Sequence, residues 1–410
     1  MTIPAFNHEN KADATLWKNR NFLLIWGGSL ISNFGSQMYA IAIPLLIYDL
    51  SHSALAMSTM RAIEFFPNIL IGILAGVLVD RFNRKKMMQW TSLIQVGAML
   101  CIVLLLASEQ IHLWHLYLLG FILSCAGYTF GNAHHSVLPQ IVTKDQLTSA
   151  NAKLSFINTL INMTGPGLAG AFLVAFSFTS TLTIYTICLF ILFLCMCFFQ
   201  LPAQTDKARK KNSLRDDIKE GIEELFHNKI LLTPTITVLF INFASSLVIG
   251  VLVFYVTDQL GANEAQVGLM FTISAGGGLL GAMVVSSIRK RFGRGNIYTF
   301  CLIFDVIGMG CLIAASTWWA IGIALAIRTC STTVSNIVYF TIRQEFTPNH
   351  LLGRVAGTSS MLMKLTLPFG LFIAGLWAEW LPIPILFGIS SSIFLILFMR
   401  LYFHPFRKLM

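Results

Sequence analysis

The sequence has 410 residues, of which 56% are hydrophobic and only 11% are charged, and its formal net charge is +10. Because about 25% of the residues of a soluble globular domain are charged, this composition excludes an ordinary soluble protein and predicts a chain that lies mostly in a lipid bilayer. The positive charge alone would suit a nucleic-acid partner, but the placement of the basic residues excludes that interpretation.

The chain begins with a polar segment, residues 1–21, which lacks the apolar core of a signal peptide and is expected to form a cytoplasmic tail. Twelve apolar segments follow, each long enough to cross a hydrocarbon core of about 30 Å as a helix. They are predicted to be helical, because the bilayer core cannot satisfy open backbone groups. We place them at residues 22–48, 55–79, 87–107, 113–133, 152–176, 180–200, 231–256, 265–288, 296–315, 317–341, 355–378 and 383–402.

The basic residues are confined to one side of this topology. If both termini are cytoplasmic, all but three of the 28 Lys and Arg residues fall in cytoplasmic segments. The exceptions, Arg61, Arg328 and Lys364, lie inside spans, so the outward loops carry none. This distribution is a strong positive-inside signal. It predicts a multi-pass protein of the cell membrane with both termini in the cytoplasm.

The longest loop separates two sets of six spans. The chain is thereby divided into a first bundle, a linker, a second bundle and a C-terminal tail, at residues 22–200, 201–230, 231–402 and 403–410. Apolar side chains recur at helical spacing within the linker, at Leu214, Ile218, Ile222, Leu225 and Phe226. The pattern predicts an amphipathic helix at the membrane surface, and a solvated linker helix is the alternative.

The two halves repeat each other in sequence. VDRFNRKK (79–86) has a counterpart in RKRFGRGN (289–296), and QIVTKDQLTSANA (140–152) has one in QEFTPNHLLGRVA (344–356). Two further motifs recur in the same order. A parallel repeat of this kind is the arrangement of transporters that are built from two six-span bundles.

Residues 76–86, GVLVDRFNRKK, resemble the signature G-x-L-a-D-r-x-G-r-k between helices two and three of the major facilitator superfamily. The matching residues include Gly76, Asp80, Arg81, Arg84 and Lys85. Asn83 replaces the second glycine, which we attribute to the tolerance of asparagine for the left-handed conformation. Other stretches, such as IYDLSHSALAM and SVLPQIVTKDQLTSANAK, resemble the drug:proton antiporter branch of macrolide-efflux and enterobactin-exporter type.

The resemblance covers the full length and implies an all-α membrane protein, with twelve transmembrane helices in two pseudo-symmetric six-helix bundles. It also implies export of a lipophilic or amphipathic small molecule (drug, macrolide-like or siderophore-like) by alternating access. Proton influx is the expected energy source, with no other cofactor, and the monomer is the expected functional form. Uniport or import of a small nutrient, or lipid translocation, remains the alternative on the same fold.

In the family, the aspartate and arginine of the signature hold the two halves together at the cytoplasmic end. The resemblance assigns this latch to Asp80 and Arg84, whereas the alternative is that the loop only sets the topology.

GPGLAG (165–170) resembles the exporter-associated signature G-x-x-x-G-P-x-x-G-G. Gly165, Pro166 and Gly170 match, while Ile161 and Ala169 replace glycines. Small residues and a proline here predict a close, bent contact between spans five and eight. The glycines of span eight are expected to contribute to it, at Gly276, Gly277, Gly278 and Gly281.

Ionisable side chains inside a bilayer are costly and mark candidate functional sites. Arg61 and Glu64 are three residues apart in span two and share a helical face. In this fold span eleven, which contains Lys364, faces span two. We hypothesise that Glu64 pairs with Arg61 or Lys364 and changes its protonation with the transport state; a static ion pair is the alternative. Arg328 in span ten and Asp305 in span nine are further coupling candidates, and Asp305 is also expected as a structural partner of Arg328.

Polar side chains within the spans are candidates for a substrate cavity. Asn33 and Gln37 are four residues apart in span one and share a face. The other candidates lie in spans four and seven, at Tyr128, Asn132, Asn242 and Tyr255.

Catalytic and metal-binding patterns are missing from the sequence. It contains no HExxH, GxSxG or P-loop pattern. All eight cysteines lie inside apolar spans without metal-ligand spacing. We therefore expect neither an enzyme nor a metalloprotein.

Overall fold

The structure, a computed structural model, describes residues 16–81, 83–201, 214–348 and 351–409, without the side chains of residues 72–82, 144 and 214–218. Within this part of the chain, eleven helices are long and apolar enough to cross a membrane. A twelfth helix, Ala54–Arg81, occupies the position predicted for span two. The described residues contain no β-strand. The predicted all-α fold with twelve transmembrane helices is confirmed.

The spans are numbered in chain order. Spans one to six are the helices Arg20–Ser51, Ala54–Arg81, Arg84–Ala107, Leu113–Ile141, Leu147–Ala175 and Phe178–Phe198. Spans seven to ten are Lys229–Phe254, Glu264–Arg289, Arg294–Ala314 and Trp318–Phe346. Span eleven consists of two helices, Leu352–Lys364 and Leu367–Trp380, and span twelve is Ile383–Tyr402. The even number of spans puts the start of span one and the end of span twelve on the same face, called the terminal face; the other is the opposite face.

The two halves are pseudo-symmetric in their packing. In the first half, span one contacts spans five and six, span two contacts span four, and span three contacts spans four and six. In the second half the equivalent contacts recur, with span seven on eleven and twelve, eight on ten, and nine on ten and twelve. The halves meet chiefly through the pairs five–eight and two–eleven. We call this contact the seam.

Span eleven is interrupted, although its apolar pattern predicts a continuous helix over 355–378. Its first helix ends at Lys364 and its second begins at Leu367. Pro368 lies at the start of the second helix, where it has no N–H to donate to the carbonyl oxygen of Lys364 four residues earlier. Hydropathy alone does not reveal such a break.

A surface helix, Leu214–His227, lies between the halves in sequence and packs on the first helix of span eleven. Leu225 is fully buried against Leu231 and Val355, and Glu220 forms an ion pair with Arg354. A helix is thus present at the predicted position, and its placement at the membrane surface stays a prediction. Ile222 and Phe226 are exposed, whereas the side chains of Leu214 and Ile218 lie outside the described part.

The contact between spans five and eight is close, as the small residues predict. A Cβ on Gly170 would overlap the carbonyl oxygen of Glu264, and one on Gly268 would overlap that of Pro166. The expectation for the other glycines of span eight was wrong. Gly277 and Gly281 face the backbone of span ten, Gly278 faces two threonine side chains of span ten, and a Cβ on Gly276 would meet nothing within 4 Å. Sequence spacing could not tell which of two neighbouring helices each glycine faces.

Gly277→Ala is expected to destabilise the protein, because its new Cβ would overlap the carbonyl oxygen of Ala326 in span ten. Overpacking of this kind costs about 1–3 kcal/mol. Gly276→Ala is the matched control, since the neighbouring position is open. Thermal unfolding of the purified variants in detergent should show a lower midpoint for Gly277→Ala alone. Equal midpoints for the two variants would contradict the packing.

Candidate functional site

The halves are joined by hydrogen bonds from the middle of the seam to the opposite face. At mid-membrane, Lys364 Nζ donates to Asn68 Oδ1 at 3.3 Å. Near the opposite face, the hydroxyl of Tyr48 donates to Asp258 Oδ1 at 3.0 Å. Among the described residues, these hydrogen bonds hold the two halves together from mid-membrane to the opposite face.

At a depth similar to that of Lys364, spans one and five carry two stacked amide pairs. Asn33 Nδ2 donates to Asn158 Oδ1 at 2.5 Å, and Gln37 Nε2 donates to Asn162 Oδ1 at 3.2 Å. The residues are four apart on both helices, so the pairs follow one face; we call them the amide ladder. Asn158 and Asn162 are exposed. Because exposed amides are costly against hydrocarbon, we infer that the amide ladder faces a polar space between the halves, called the cavity.

Span two carries an ion pair at the level of the membrane core. Arg61 Nη1 lies 3.1 Å from Glu64 Oε2, with the two side chains 26% and 12% exposed. The second guanidinium nitrogen donates to the carbonyl oxygen of Ala40 in span one at 2.9 Å. The predicted contact of Glu64 with Arg61 is therefore present, and most of its surface is withdrawn from water.

The alternative contact, between Glu64 and Lys364, is not formed in the structure. Lys364 donates instead to Asn68, which lies one helical turn beyond Glu64 toward the terminal face. Asn242 of span seven donates its Nδ2 to the carbonyl oxygen of Met363 at 2.8 Å. Asn242, predicted as a cavity residue, thus satisfies a backbone group that the break leaves open.

The second half contains two further ionisable groups. Asp305 is 2% exposed, and its Oδ2 accepts a hydrogen bond from the Ser331 hydroxyl at 2.9 Å. The guanidinium of Arg328 donates to the Ser245 hydroxyl. No ion pair within 4.0 Å joins Asp305 to Arg328 among the described side chains, so the expected direct pairing is not formed. Asp305 Oδ1 and Arg328 Nε are buried without a hydrogen-bond partner.

The remaining predicted cavity residues make other contacts. Asn132 Nδ2 donates to the carbonyl oxygen of Tyr128 in its own helix at 2.8 Å, and both residues are half-buried. Tyr255 is buried, and its ring packs edge-to-face on Phe387 of span twelve with the ring centres 5.2 Å apart. Tyr255, which directly follows span seven, therefore packs within the second half.

The signature between spans two and three is only partly described. Gly76, Asp80 and Arg81 lie at the end of the span-two helix, but the side chains there are outside the described part. The latch assigned to Asp80 stays a prediction. Arg84 Nη1 donates to the carbonyl oxygen of Ser136 at 3.1 Å, which joins the start of span three to the end of span four.

Asn83 begins span three by capping it. Its backbone is extended, at φ −63° and ψ 113°, and its side chain accepts the N–H of Lys86. The left-handed conformation expected for the residue that replaces glycine was wrong, because asparagine serves here as an N-cap. Lys85 follows in the first turn and is half-buried.

The exporter-associated signature in span five has two contacts. Gly170 and the carbonyl of Pro166 form the close approach to span eight across the seam, whereas a Cβ on Gly165 would overlap the side chain of Gln37 in span one. Gly165 thus makes room for the second rung of the amide ladder.

A family model described as a transmembrane secretion effector, of the major facilitator superfamily, matches residues 14–409. The chain belongs to this family. Among its relatives is the uncharacterized MFS-type transporter YfiS of Bacillus subtilis (strain 168), which is 25% identical with 93% of each chain covered. Macrolide efflux protein A of Streptococcus pyogenes is 22% identical, over 92% of this chain and 94% of the relative. The fold is similar to that of the nucleoside transporter NupG, with a TM-score of 0.74 at 12% identity over 93% of this chain and 98% of the other.

In this major facilitator transporter, Glu379 fastens span eleven to span two at the opposite face. Its Oε1 accepts from the Ser53 hydroxyl at 2.8 Å and from the backbone N–H of Leu55 at 3.3 Å. Leu55 lies in the first turn of span two, where open N–H groups and the helix dipole favour a carboxylate. A Cβ on Gly375, one turn earlier, would overlap the Ser58 hydroxyl. The two helices therefore touch closely beneath the carboxylate.

Several residues of this transporter's seam and cavity were not singled out as site residues from the sequence, among them Asn68, Asn158, Asn162 and Glu379. Asn158 and Asn162 have the same four-residue spacing as Asn33 and Gln37, so that spacing could have predicted them. Glu379 had no local signal, because a carboxylate at the end of a span is equally suited to solvent.

Glu379→Ala is expected to open the transporter more often at the opposite face. It removes the acceptor of two hydrogen bonds, and a hydrogen bond to a charged group contributes about 1.5–3 kcal/mol, so we expect at least a tenfold larger open fraction. The measurement is the labelling rate of a Ser58→Cys reporter by a maleimide, in nanodiscs and with the eight native cysteines replaced.

Ser58 is fully buried beneath Gly375 in the closed state, so labelling reports opening. Glu379→Gln should give an intermediate rate, since its amide oxygen still accepts hydrogen bonds without the charge. Glu109→Gln, in the loop between spans three and four, is the control and should leave the rate unchanged. Unchanged labelling in Glu379→Ala would show that this contact does not hold the seam.

Proposed function

We propose that this transporter exports a lipophilic or amphipathic small molecule by alternating access and that proton influx drives the export. The observation that supports it best is the amide ladder, which lies beside a seam that hydrogen bonds close near the opposite face. A second state would close the terminal face and open the opposite one. The similarity to macrolide efflux protein A supports export of a bulky compound.

The terminal face is the cytoplasmic one in this proposal. The support is the positive-inside distribution, because the loops of the opposite face carry no Lys or Arg. Both termini are then in the cytoplasm of a bacterial cell, and the cavity receives its cargo from inside. Each half supplies walls of the same cavity, so a monomer contains a complete pathway.

Glu64 is the proposed coupling carboxylate. Its side chain is 12% exposed and lies in span two beside the seam, where it pairs with Arg61. Arg61 in turn donates a hydrogen bond to the carbonyl oxygen of Ala40 in span one. A change in the packing of spans one and two would weaken this hydrogen bond. A proton on Glu64 would then replace the charge of Arg61. Asp305, Arg328 and Lys364 are the other coupling candidates.

The signature at the end of span two is proposed to close the terminal face. The start of span eleven contacts span two. In the outward-open state, Asp80 with Arg84 would hold that contact, with Gly76 allowing close approach and Arg81 and Lys85 keeping the loop inside.

Uptake or uniport of a small polar nutrient is the second candidate function. The amide ladder favours it, because exposed amides bind hydroxyl and carbonyl groups, and the likeness in fold to a nucleoside transporter is compatible with it. Lipid translocation is a further alternative on the same fold.

Substrate-dependent proton movement tests the proposal. Everted membrane vesicles are acidified inside by respiration, and a pH-sensitive dye follows the gradient while macrolides, dyes and siderophore-like compounds are added. We expect proton release with at least one compound in the wild type. Glu64→Gln should reduce release to the level of vesicles without the protein, because an amide cannot carry the coupled proton.

Glu109→Gln is the matched control, a carboxylate outside the membrane core that should release protons like the wild type. Persistent release in Glu64→Gln, combined with loss in Asp305→Asn, would move the coupling site to the second half. Proton release by no compound, together with cargo uptake that ignores the gradient, would overturn proton-driven export and favour the nutrient or lipid alternatives.

A further inference from the structure

Lys364 has an unusual environment for a charged residue in the middle of a membrane protein. Its side chain is exposed beside the seam, and its ammonium donates to one neutral group, Asn68 Oδ1 at 3.3 Å. No carboxylate lies within 4.0 Å of Lys364 Nζ among the described side chains. Intramembrane lysines normally pair with an opposite charge, so this one has spare capacity for an anion.

The other ionisable groups of the membrane core do not compensate this charge. Glu64 is engaged by Arg61 in a neutral pair. Asp305 and Arg328 are opposite charges within the second half, and each is held by a serine hydroxyl. Among the ionisable groups described at this depth, the positive charge of Lys364 is therefore the one without a compensating negative charge, and its side chain is exposed.

The backbone around Lys364 offsets its charge only in part. Lys364 is the last residue of a helix, where the open carbonyl groups amount to about half a negative charge. Asn242 already donates to one of these groups, the carbonyl oxygen of Met363. The partial negative charge that remains at this helix end is smaller than the full negative charge of a carboxylate.

The two halves of the repeat carry different side chains at the level of Lys364. Asn33 and Asn158 form the first rung of the amide ladder in spans one and five. The sequence repeat places Asn242 at the position of Asn33, whereas the position of Asn158 falls at Leu362 or Met363 of span eleven, next to Lys364. One wall of the cavity thus carries a neutral amide where the other carries a cation. A cavity with one polar, neutral wall and one cationic wall orients a ligand that has an acidic end.

We infer that the cargo carries a carboxylate or similar oxyanion, which Lys364 binds with support from Asn68, while the amide ladder binds neutral polar groups of the same molecule. This inference rests on the proposed function and narrows its substrate class to acidic amphipathic compounds. Cationic compounds would meet an uncompensated positive charge in a low-dielectric cavity.

Three fluorescent probes of one scaffold test the inference. They are dansyl-aminohexanoate, its uncharged amide, and dansylcadaverine, which present an anion, a neutral group and a cation at similar distances from the same aromatic group. Binding to purified protein in nanodiscs is followed by the change in dansyl fluorescence. We expect the wild type to bind the carboxylate at least tenfold more tightly than the amide and more tightly still than the amine.

Lys364→Gln should lose the preference for the carboxylate and bind the uncharged amide as the wild type does. Lys364→Arg should keep the preference, because it keeps the charge, and Lys364→Glu should favour the amine. Equal thermal unfolding midpoints of these variants exclude a folding defect. A wild type that binds the amine or the amide as well as the carboxylate, or none of the probes, overturns the inference, as does a preference that survives in Lys364→Gln.

The two proposals fail separately. If the vesicle measurement shows gradient-driven export of uncharged or cationic compounds alone, the export function stands and the acidic substrate class is overturned. If the carboxylate probe binds through Lys364 but no compound moves protons, the substrate class stands and proton-driven export is overturned.

Discussion

The antiparallel contact between spans two and eleven is the constraint on which the seam depends. At the opposite face, the carboxylate of Glu379 lies against the first turn of span two, and Gly375 lets the two helices touch just below it. At mid-membrane, Lys364 and Asn68 join the same helices. A charge at the end of one helix meets the open N–H groups of the other, which is favourable without a buried ion pair. Such a contact can form and separate at modest cost, as a gate requires.

The second contact across the seam has a different physical basis. Spans five and eight approach each other backbone to backbone at Gly170 and Gly268. In a bilayer, helix association depends on van der Waals packing more than on the hydrophobic effect, and removing the side chains is what allows this proximity. The seam thus combines a polar contact, which responds to charge, with a steric one, which does not.

The inferred cavity lies between the halves, where neither of these two contacts joins the helices. Polar groups that face neither helix interior nor lipid are grouped on spans one, two, five and eleven. The amide ladder satisfies its own hydrogen bonds in pairs, so its face tolerates an empty cavity. Lys364 is less well satisfied, because its ammonium donates to one neutral group, Asn68 Oδ1.

The sequence by itself determined the class, the number of spans, the repeat and the surface helix, because these depend on hydropathy, on period and on the distribution of Lys and Arg along the chain. It also predicted the pair Arg61–Glu64, which needs only the geometry of one helix. Which helix faces which neighbour was decided by the tertiary structure alone. Gly277 faces span ten instead of span five, Tyr255 packs on span twelve, and Glu379 reaches span two from more than 300 residues away. The physical reason is that helical period places residues on a common face, whereas the partner of that face is set by the packing of distant segments.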